Sequence, residues 1–319
     1  MWWIVLALLV LIVMIRIWYR LQSGHCTSQK TLDGKTVIIT GASAGIGKSS
    51  AFDLARRNAR VILACRNLEK AQKVADEIIR DTGNTSVVVR KLDTSDLSSV
   101  RSFARKIVET EDSLHILINN AGMVGHHKRK HTADGLELTM ATNHYGHFLL
   151  TNLLLNLLKK SAPSRIVNVS SKMHEFCSVL DPEDLNFEKS SYSMFTSYNQ
   201  SKLCNVLFTL ELAERLRGSG VTANSLHPGV VDTEITYKMG GFPGYSQAFL
   251  FKLMGKDCDL GAQTIIHLAV AEEVEGLSGK YFVDCKETES SKLAQHRGIA
   301  KKLWLASELD VKLENEEMM

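Results

Sequence analysis

The sequence contains no C-x-x-C pair, no internal repeat and no low-complexity segment. Its six cysteines are scattered, which suits reduced thiols in a cytosol-facing domain better than a disulfide framework or a zinc site. We therefore predict no metal. The formal net charge is only +3, which is too small to indicate nucleic-acid binding. With 319 residues, the chain suffices for one large α/β domain with an appendage, or for two small domains.

The N-terminal segment is strongly apolar. Met1 to Ile15 has no polar side chain, and the nearby basic residues, Arg16 and Arg20, follow this run. A helix of this length reaches about 28 Å, close to the ~30 Å of a bilayer core. We predict a transmembrane anchor over 1–20, with the remaining chain on the cytosolic side, and a polar linker over 21–33. A cleaved signal peptide and a buried helix are the alternatives; the lack of a basic residue before the run argues against the signal peptide.

A glycine-rich turn follows the first predicted strand. Lys35 to Thr40 is an apolar, β-branched run, and the spacing T-G-x-x-x-G-x-G extends from Thr40 to Gly47. Glycines between a strand and a helix let the backbone approach a pyrophosphate, which the N-terminal end of the helix attracts. A flexible loop is the alternative, but this placement favours a dinucleotide site. The predicted contacts are Gly41, Ser43, Ala44, Gly45, Ile46 and Gly47.

The second predicted strand, Arg60 to Cys65, ends without the acidic residue that binds the ribose 2′-hydroxyl of NAD, about 20 residues past the glycines. Arg66 follows instead, which favours the 2′-phosphate of NADP(H). Two interpretations of Lys48 stay open: it assists in binding the 2′-phosphate, or it is a solvated helix residue. Asp93, at the end of the third strand, is predicted to accept a hydrogen bond from the adenine amino group, with a turn or capping role as the alternative.

Small and polar residues follow the later predicted strands. Asn120 lies in the stretch after the fourth strand, where small and amide side chains suit a position under a cofactor. Ser171 ends the fifth strand, at the edge where open α/β sheets bind ligands. Asn143 lies in a long helical pattern over Gly135 to Lys159, and an asparagine is disfavoured inside a helix, so we expect it to have a specific task or packing partner.

Tyr198 and Lys202 are four residues apart in a predicted helix. Both side chains would then project from one face, about 5–6 Å apart at their Cβ atoms. An ammonium near a phenol favours the phenolate and lowers the phenol's pKa from about 10, so that it can exchange protons near neutral pH. Because this spacing is common on helices, surface packing is the alternative for the pair taken alone.

Six motifs stand in an order and at a spacing that resemble the short-chain dehydrogenase/reductase family over residues 33–300. The closer similarity is to the membrane-anchored retinol dehydrogenase/retinal reductase subgroup, notably in the apolar N-terminal segment and in residues 198–208. Residues 172–196 and 236–256, which would meet the substrate, depart from that subgroup. The six motifs are Thr40-Gly-x-x-x-Gly-x-Gly47, Asn119-Asn-Ala-Gly122, Asn143, Ser171, Tyr198-x-x-x-Lys202 and His227-Pro-Gly229.

The resemblance implies a fold and a domain plan. The expected fold is α/β, a Rossmann-type doubly wound parallel sheet with helices on both faces, over residues 34–300. Independently of the resemblance, the charged residues from Lys286 onward predict an exposed C-terminal tail, assigned to 301–319 and in part helical. The glycine-punctuated, aromatic-rich run 237–254 is interpreted as a mobile substrate lid, with a packed core helix as the alternative.

The resemblance also implies roles for single residues. Tyr198 would exchange a proton with the substrate oxygen, while Lys202 lowers the pKa of Tyr198 and binds the nicotinamide ribose. Ser171 is preferred over Ser170, because it comes last on the strand, as the residue that polarises the substrate oxygen. The remaining roles fall to Asn143, which would hold a proton-relaying water, and to Thr233, which would meet the nicotinamide carboxamide.

The expected activity is NADP(H)-linked interconversion of a lipophilic aldehyde or ketone and its alcohol, with retinal and retinol as the leading pair. A steroid or fatty-carbonyl reductase on the same fold is the first alternative. A membrane-tethered nucleotide-binding scaffold without turnover is the second. The anchor and the subgroup place the protein in the endoplasmic reticulum membrane, and the sequence leaves a homodimer open.

Overall fold

The fold is built on one eight-stranded sheet with the strand order β3-β2-β1-β4-β5-β6-β7-β8. The computed structural model describes residues 2–231 and 255–314, apart from some side chains of the first helix. Strands β1 to β7 run parallel, and β8 pairs antiparallel with β7. The strands are β1 Thr36–Thr40, β2 Arg60–Cys65, β3 Val87–Lys91, β4 Ile116–Asn119, β5 Ser164–Val169, β6 Val221–His227, β7 Tyr281–Val283 and β8 Lys286–Glu287.

Helices cover both faces of the sheet, so the predicted doubly wound parallel architecture is confirmed. Helices α2, α3 and α8 pack on one face, and α4, α6, α7 and α9 on the other. The central strands are buried on both sides, which explains the continuous valine and isoleucine run of β1. The helices are α1 Trp2–Gln22, α2 Gly45–Arg56, α3 Leu68–Thr82, α4 Leu97–Thr110, α5 Leu138–Met140, α6 Gly146–Lys160, α7 Met194–Arg215, α8 Cys258–Val270 and α9 Arg297–Asp310.

The strand order reverses between β1 and β4. Successive strands run outward from β1 through β2 to β3, and then in the other direction from β4 onward. The helices that follow β1 and β4 therefore leave on opposite faces, and a crevice opens at the carboxyl ends of these strands. Thr40 and Asn119 end the two strands at this crevice.

The helix predicted over 135–159 has a wide π-helical turn near its start. Residues 141–145 form this turn between α5 and α6, and Asn143 lies at its centre. Single π turns inside α-helices occur frequently at functional sites, because the extra residue breaks the regular backbone hydrogen bonding. The asparagine that propensity disfavours thus lies where the helix is irregular.

The C-terminal part differs from the exposed tail that the charges predict. Trp304 of α9 is only 1% exposed, and Leu303 is buried beside it. Phe148 and Phe208 pack against the indole, at centroid distances of 4.8 and 5.7 Å. The prediction of an exposed tail is therefore wrong over α9, because apolar residues at helical spacing bury one face of a segment rich in lysine and glutamate.

The residues before the sheet lie against the domain. Cys26 donates its backbone N–H to the side chain of Gln263, and Leu32 is buried. The guanidinium of Arg57 donates to the backbone oxygens of Ser28 and Lys30 at 2.9 and 3.0 Å. Within residues 2–231 and 255–314, no helix combines the length and the apolarity that a bilayer crossing needs.

Candidate active site

The glycine turn opens the crevice at the end of β1. Gly41 has φ +69°, a conformation that favours glycine. Gly47 is confined by space instead: a Cβ there would lie 2.5 Å from Nδ2 of Asn120 and 2.7 Å from the oxygen of Gly41. The turn therefore has no room for side chains at these positions, and α2 begins at Gly45 with its N-terminal amides toward the crevice. Ser43, Ala44 and Ile46 belong to the same turn.

Thr40 and Asn120 brace this turn. Oγ1 of Thr40 accepts the backbone N–H groups of Asn120 and Ala121 at 2.8 and 2.9 Å. Nδ2 of Asn120 donates to the backbone oxygen of Thr40 at 2.8 Å. The amide of Asn120, predicted to contact the cofactor, thus already supports the turn through the protein backbone, and any contact with the cofactor stays a prediction.

The predicted cofactor residues Arg66 and Asp93 follow β2 and β3, beside the glycine turn. Cys65, at the end of β2, lies against Ser43 of that turn, and burial raises the pKa of its thiol. Arg66 is 73% exposed, and its Nη1 lies 3.9 Å from Oδ2 of Asp93. The carboxylate of Asp93 also accepts the N–H and O–H of Ser95 at 3.0 and 2.7 Å, as a turn residue does. Arg66 therefore offers an accessible guanidinium beside the glycine turn.

Lys48 has a different partner from the one considered in the sequence. Its ammonium forms an ion pair with Glu77 of α3. Arg66 is the more exposed of the two cations, 73% against 33%, and a contact of Lys48 with the phosphate stays a prediction.

Tyr198 and Ser171 meet at the carboxyl end of β5. The hydroxyl of Ser171 lies near enough to the phenol of Tyr198 to lower its pKa, and it accepts the N–H of Met173 at 3.2 Å. The hydroxyl of Ser170 has a different partner, because it donates to the backbone oxygen of Lys202 at 2.6 Å. The structure thus brings Ser171, rather than Ser170, to the phenol, and the polarisation of a substrate oxygen by Ser171 stays a prediction.

Lys202 is buried one helical turn after Tyr198. Its Nζ lies 5.6 Å from the centre of the Tyr198 ring and donates to the backbone oxygen of Val169 at 3.2 Å. A Cβ added to Gly122 would lie 3.5 Å from this nitrogen, so a glycine there leaves room for the ammonium. Burial lowers the pKa of Lys202 to about 8, and its charge is therefore lost as the pH rises through that value.

The pKa of Tyr198 differs from the prediction. Burial raises it above the ordinary value of a phenol, while the nearby hydroxyl of Ser171 lowers it by less. The ammonium of Lys202 lies near the ring, 5.6 Å from its centre, and burial lowers the pKa of this ammonium. The expectation of a lowered pKa for Tyr198 is therefore wrong. The phenol is protonated at neutral pH, which suits a proton donor to a carbonyl.

Asn143 is held from two sides in the π-helical turn. Its Oδ1 accepts the N–H of Met123 at 2.8 Å, and its Nδ2 donates to the oxygen of Met123 and to Oγ of Ser201, each at 2.9 Å. Ser201 donates in turn to the backbone oxygen of Tyr198 at 2.8 Å. Asn143 thus ties the loop after β4 to the turn of α7 that carries the phenol.

Several of these contacts were missed in the sequence. Thr40 and Gly122 belong to two of the six motifs, but the contacts of Thr40, Ser201 and Gly122 join residues far apart along the chain, so no local pattern predicts these contacts. Thr233 and the run 237–254 lie outside the described residues. Within the described ranges, no group of histidine, cysteine and acidic residues could hold a metal ion.

Comparison with known proteins gives close sequence relatives. Residues 35–180 match the family profile described as short chain dehydrogenase. Human retinol dehydrogenase 11 is 50% identical over 284 residues, which cover 89% of this chain and 88% of the relative. Mouse retinol dehydrogenase 13 is 47% identical over 290 residues, with 89% and 86% covered.

Solved structures share the fold. An uncharacterised protein from Mycobacterium paratuberculosis is similar with a TM-score of 0.72 and 35% identity, over 92% of this chain and 99% of that one. A short chain dehydrogenase from Escherichia coli CFT073, solved as a complex with NADPH, has a TM-score of 0.61 and 24% identity, over 81% and 99%. At this identity the second likeness concerns the fold alone.

Proposed function

Since the chain belongs to the short-chain dehydrogenase family, we propose that it is an NADP(H)-dependent oxidoreductase that reduces a lipophilic aldehyde, with retinal as the leading substrate. The observation that carries the proposal is the meeting of the Tyr198 phenol, the Ser171 hydroxyl and the buried Lys202 at the carboxyl end of β5. The glycine turn and Arg66 supply a matching cofactor site. The names of the sequence relatives support the choice of retinal.

The proposed chemistry divides between a cofactor and four side chains. NADPH, when bound, supplies the hydride. Tyr198 donates its proton to the carbonyl oxygen on which negative charge develops, and Ser171 donates a second hydrogen bond to the same oxygen. Lys202 would bind the ribose, and its ammonium would stabilise the phenolate that remains after Tyr198 has given up its proton. Asn143 holds α7 in place. Both N–H donors of its side chain and one lone pair of Oδ1 already have protein partners. A water that relays protons would therefore bind to the backbone oxygen of Asn143 or to the second lone pair of Oδ1.

Exposed apolar side chains favour a lipophilic substrate. Phe176, five positions after Ser171, is 69% exposed, and Phe195, three positions before Tyr198, is 50% exposed. Val179 and Val230 are also exposed in segments that follow β5 and β6. Apolar groups around a polar centre are typical of pockets that take up hydrophobic ligands, because a few polar groups orient the ligand and the apolar wall supplies the binding energy.

The substrate is tested by competition. The full chain in membranes, with NADPH, is given equal concentrations of retinal, a steroid ketone and a medium-chain aldehyde, and the products are measured. We expect retinol to form with the highest kcat/KM. Faster reduction of the steroid would transfer the proposal to the first alternative. The absence of turnover with all three, despite NADPH binding, would favour the scaffold.

We also propose that α1 anchors the protein in a membrane, the endoplasmic reticulum with the catalytic domain in the cytosol. Its support is the sequence, in which no polar side chain occurs between Met1 and Ile15. The end of α1 also lies at the site edge of the sheet: Arg20 pairs with Asp257 at 2.7 Å, and the N–H of Val230 donates to the hydroxyl of Tyr19 at 3.3 Å. An anchor there would bring the crevice near the bilayer that dissolves the substrate.

The anchor is tested by carbonate extraction of membranes. Val10 and Met14 are exposed on α1, and their joint replacement by aspartate should move most of the chain into the soluble fraction, since each acid costs about 2.5–3.5 kcal/mol in a bilayer. Val108→Asp, on the exposed face of α4, is the matched control and should leave the chain in the pellet. Retention of the double variant would contradict the anchor.

A further inference from the structure

A buried histidine with no part in the proposed chemistry connects the cofactor turn to Asn143. His147 of α6 is 3% exposed, and each of its ring nitrogens has a partner. Nε2 lies 2.9 Å from Oγ1 of Thr40, which is itself fully buried at the end of β1. Nδ1 lies 3.1 Å from the backbone oxygen of Asn143 in the π-helical turn.

The hydrogen-bond directions of His147 follow from its partners. The carbonyl oxygen of Asn143 only accepts, so Nδ1 carries the proton, and a neutral ring then accepts at Nε2. Oγ1 of Thr40 agrees with this assignment. It accepts the N–H groups of Asn120 and Ala121, and its own O–H has two acceptors, Nε2 of His147 at 2.9 Å and the backbone oxygen of Ile118 at 3.4 Å, of which the ring nitrogen is the nearer. The carbonyl of Asn143 thus sets the tautomer, and the Thr40 hydroxyl is compatible with it.

The environment keeps the ring in this form. Burial, helped by the nearby charge of Lys202, lowers the pKa of His147 to about 4, although the bond to the oxygen of Asn143 opposes both effects. The ring is therefore neutral at neutral pH and acts as a fixed donor and acceptor. A neutral histidine held in one tautomer is a rigid connection between two backbone segments.

We propose that His147 is a positioning residue that holds the cofactor turn and the Asn143 turn in one arrangement. Through the hydroxyl of Thr40 it fixes the backbone N–H groups of Asn120 and Ala121, which lie against the glycine turn. Through the oxygen of Asn143 it fixes the π-helical turn whose side chain reaches Ser201 in α7. The inference rests on the proposed function, because that function gives the glycine turn and the Asn143 turn their roles. The contacts of His147 are expected to affect NADPH binding as well as turnover.

The inference is tested with three variants of the full chain, by titration with NADPH and by retinal reduction. His147→Leu removes both hydrogen bonds and leaves Thr40 and Asn143 without their buried partner. We expect the dissociation constant for NADPH to rise, and kcat to fall, by at least about tenfold each. His147→Gln keeps an amide donor and an acceptor on one side chain, and it should restore most of both quantities.

His144 provides the matched control. It is 1% exposed in the same π-helical turn, but its Nε2 lies 2.9 Å from Oγ of Ser307 in α9, away from the cofactor turn. His144→Leu should lower the thermal midpoint about as much as His147→Leu and leave NADPH affinity within about twofold. Equal loss of affinity in both leucine variants, unchanged affinity in His147→Leu, or failure of a folded His147→Gln to recover would overturn the inference. NADPH binding without any retinal reduction by the unaltered chain would contradict the proposed function alone.

Discussion

Replacing Tyr198 by phenylalanine is expected to lower retinal turnover by a factor on the order of 10²–10⁴ while NADPH binding stays within a small factor. The variant loses only the phenol oxygen, which is the proton donor, and keeps the ring against which the Lys202 ammonium lies. The hydroxyl of Ser171 still offers a hydrogen bond to the substrate oxygen, so some residual rate remains. Stopped-flow reduction under saturating NADPH measures the effect on the chemical step.

Tyr281→Phe is the control for this result. The hydroxyl of Tyr281 is buried in β7, and within the described part of the chain it has no hydrogen-bond partner. Its removal should leave turnover unchanged and should not destabilise the fold. If Tyr198→Phe kept wild-type turnover, the proton would come from another group and the proposed mechanism would fail.

Replacing Arg66 by aspartate is expected to reverse the cofactor preference. The change removes the exposed guanidinium that would pair with the 2′-phosphate, and it introduces a carboxylate that repels the phosphate but can accept from a 2′-hydroxyl. We expect the ratio of kcat/KM for NADPH to that for NADH to fall by a factor on the order of a hundred or more. Initial rates with each cofactor, at saturating retinal, give this ratio.

Arg217→Asp controls for the change in charge. Arg217 is as exposed as Arg66, at 73%, but it pairs with Glu214 at the end of α7. Its replacement should leave the cofactor ratio unchanged. A wild-type protein that used NADH better than NADPH at equal concentration would show that the assignment of Arg66 is wrong.

The sheet could be predicted because its signals are local. The second strand was predicted over Arg60 to Cys65 and has these bounds, since an apolar, β-branched run between polar turns indicates a buried strand. The glycine turn is likewise a local feature with a known mechanism. The buried face of α9 was not recognised, because the lysines and glutamates around Trp304 dominate the composition while helical spacing places Leu303 and Trp304 inside.

The site could be predicted only in part. Tyr198, Lys202, Ser171 and Asn143 were named from their order and spacing, and the structure brings their side chains or turns together. The support beneath them was not predictable, because Thr40 and His147 are 107 positions apart and meet only after the sheet has formed. The predicted direction of the Tyr198 pKa shift was wrong, because helical spacing places an ammonium near the ring but says nothing about the burial of the phenol.

The central claim is that the Tyr198 phenol protonates a carbonyl as hydride arrives from NADPH. The most direct measurement is a single turnover of retinal with NADPH deuterated at C4, in the unaltered chain and in Tyr198→Phe. The account predicts retinol carrying a single deuterium from the unaltered chain, and almost none on the same timescale from a Tyr198→Phe chain that still binds NADPH. Labelled retinol formed equally fast by both proteins would contradict it.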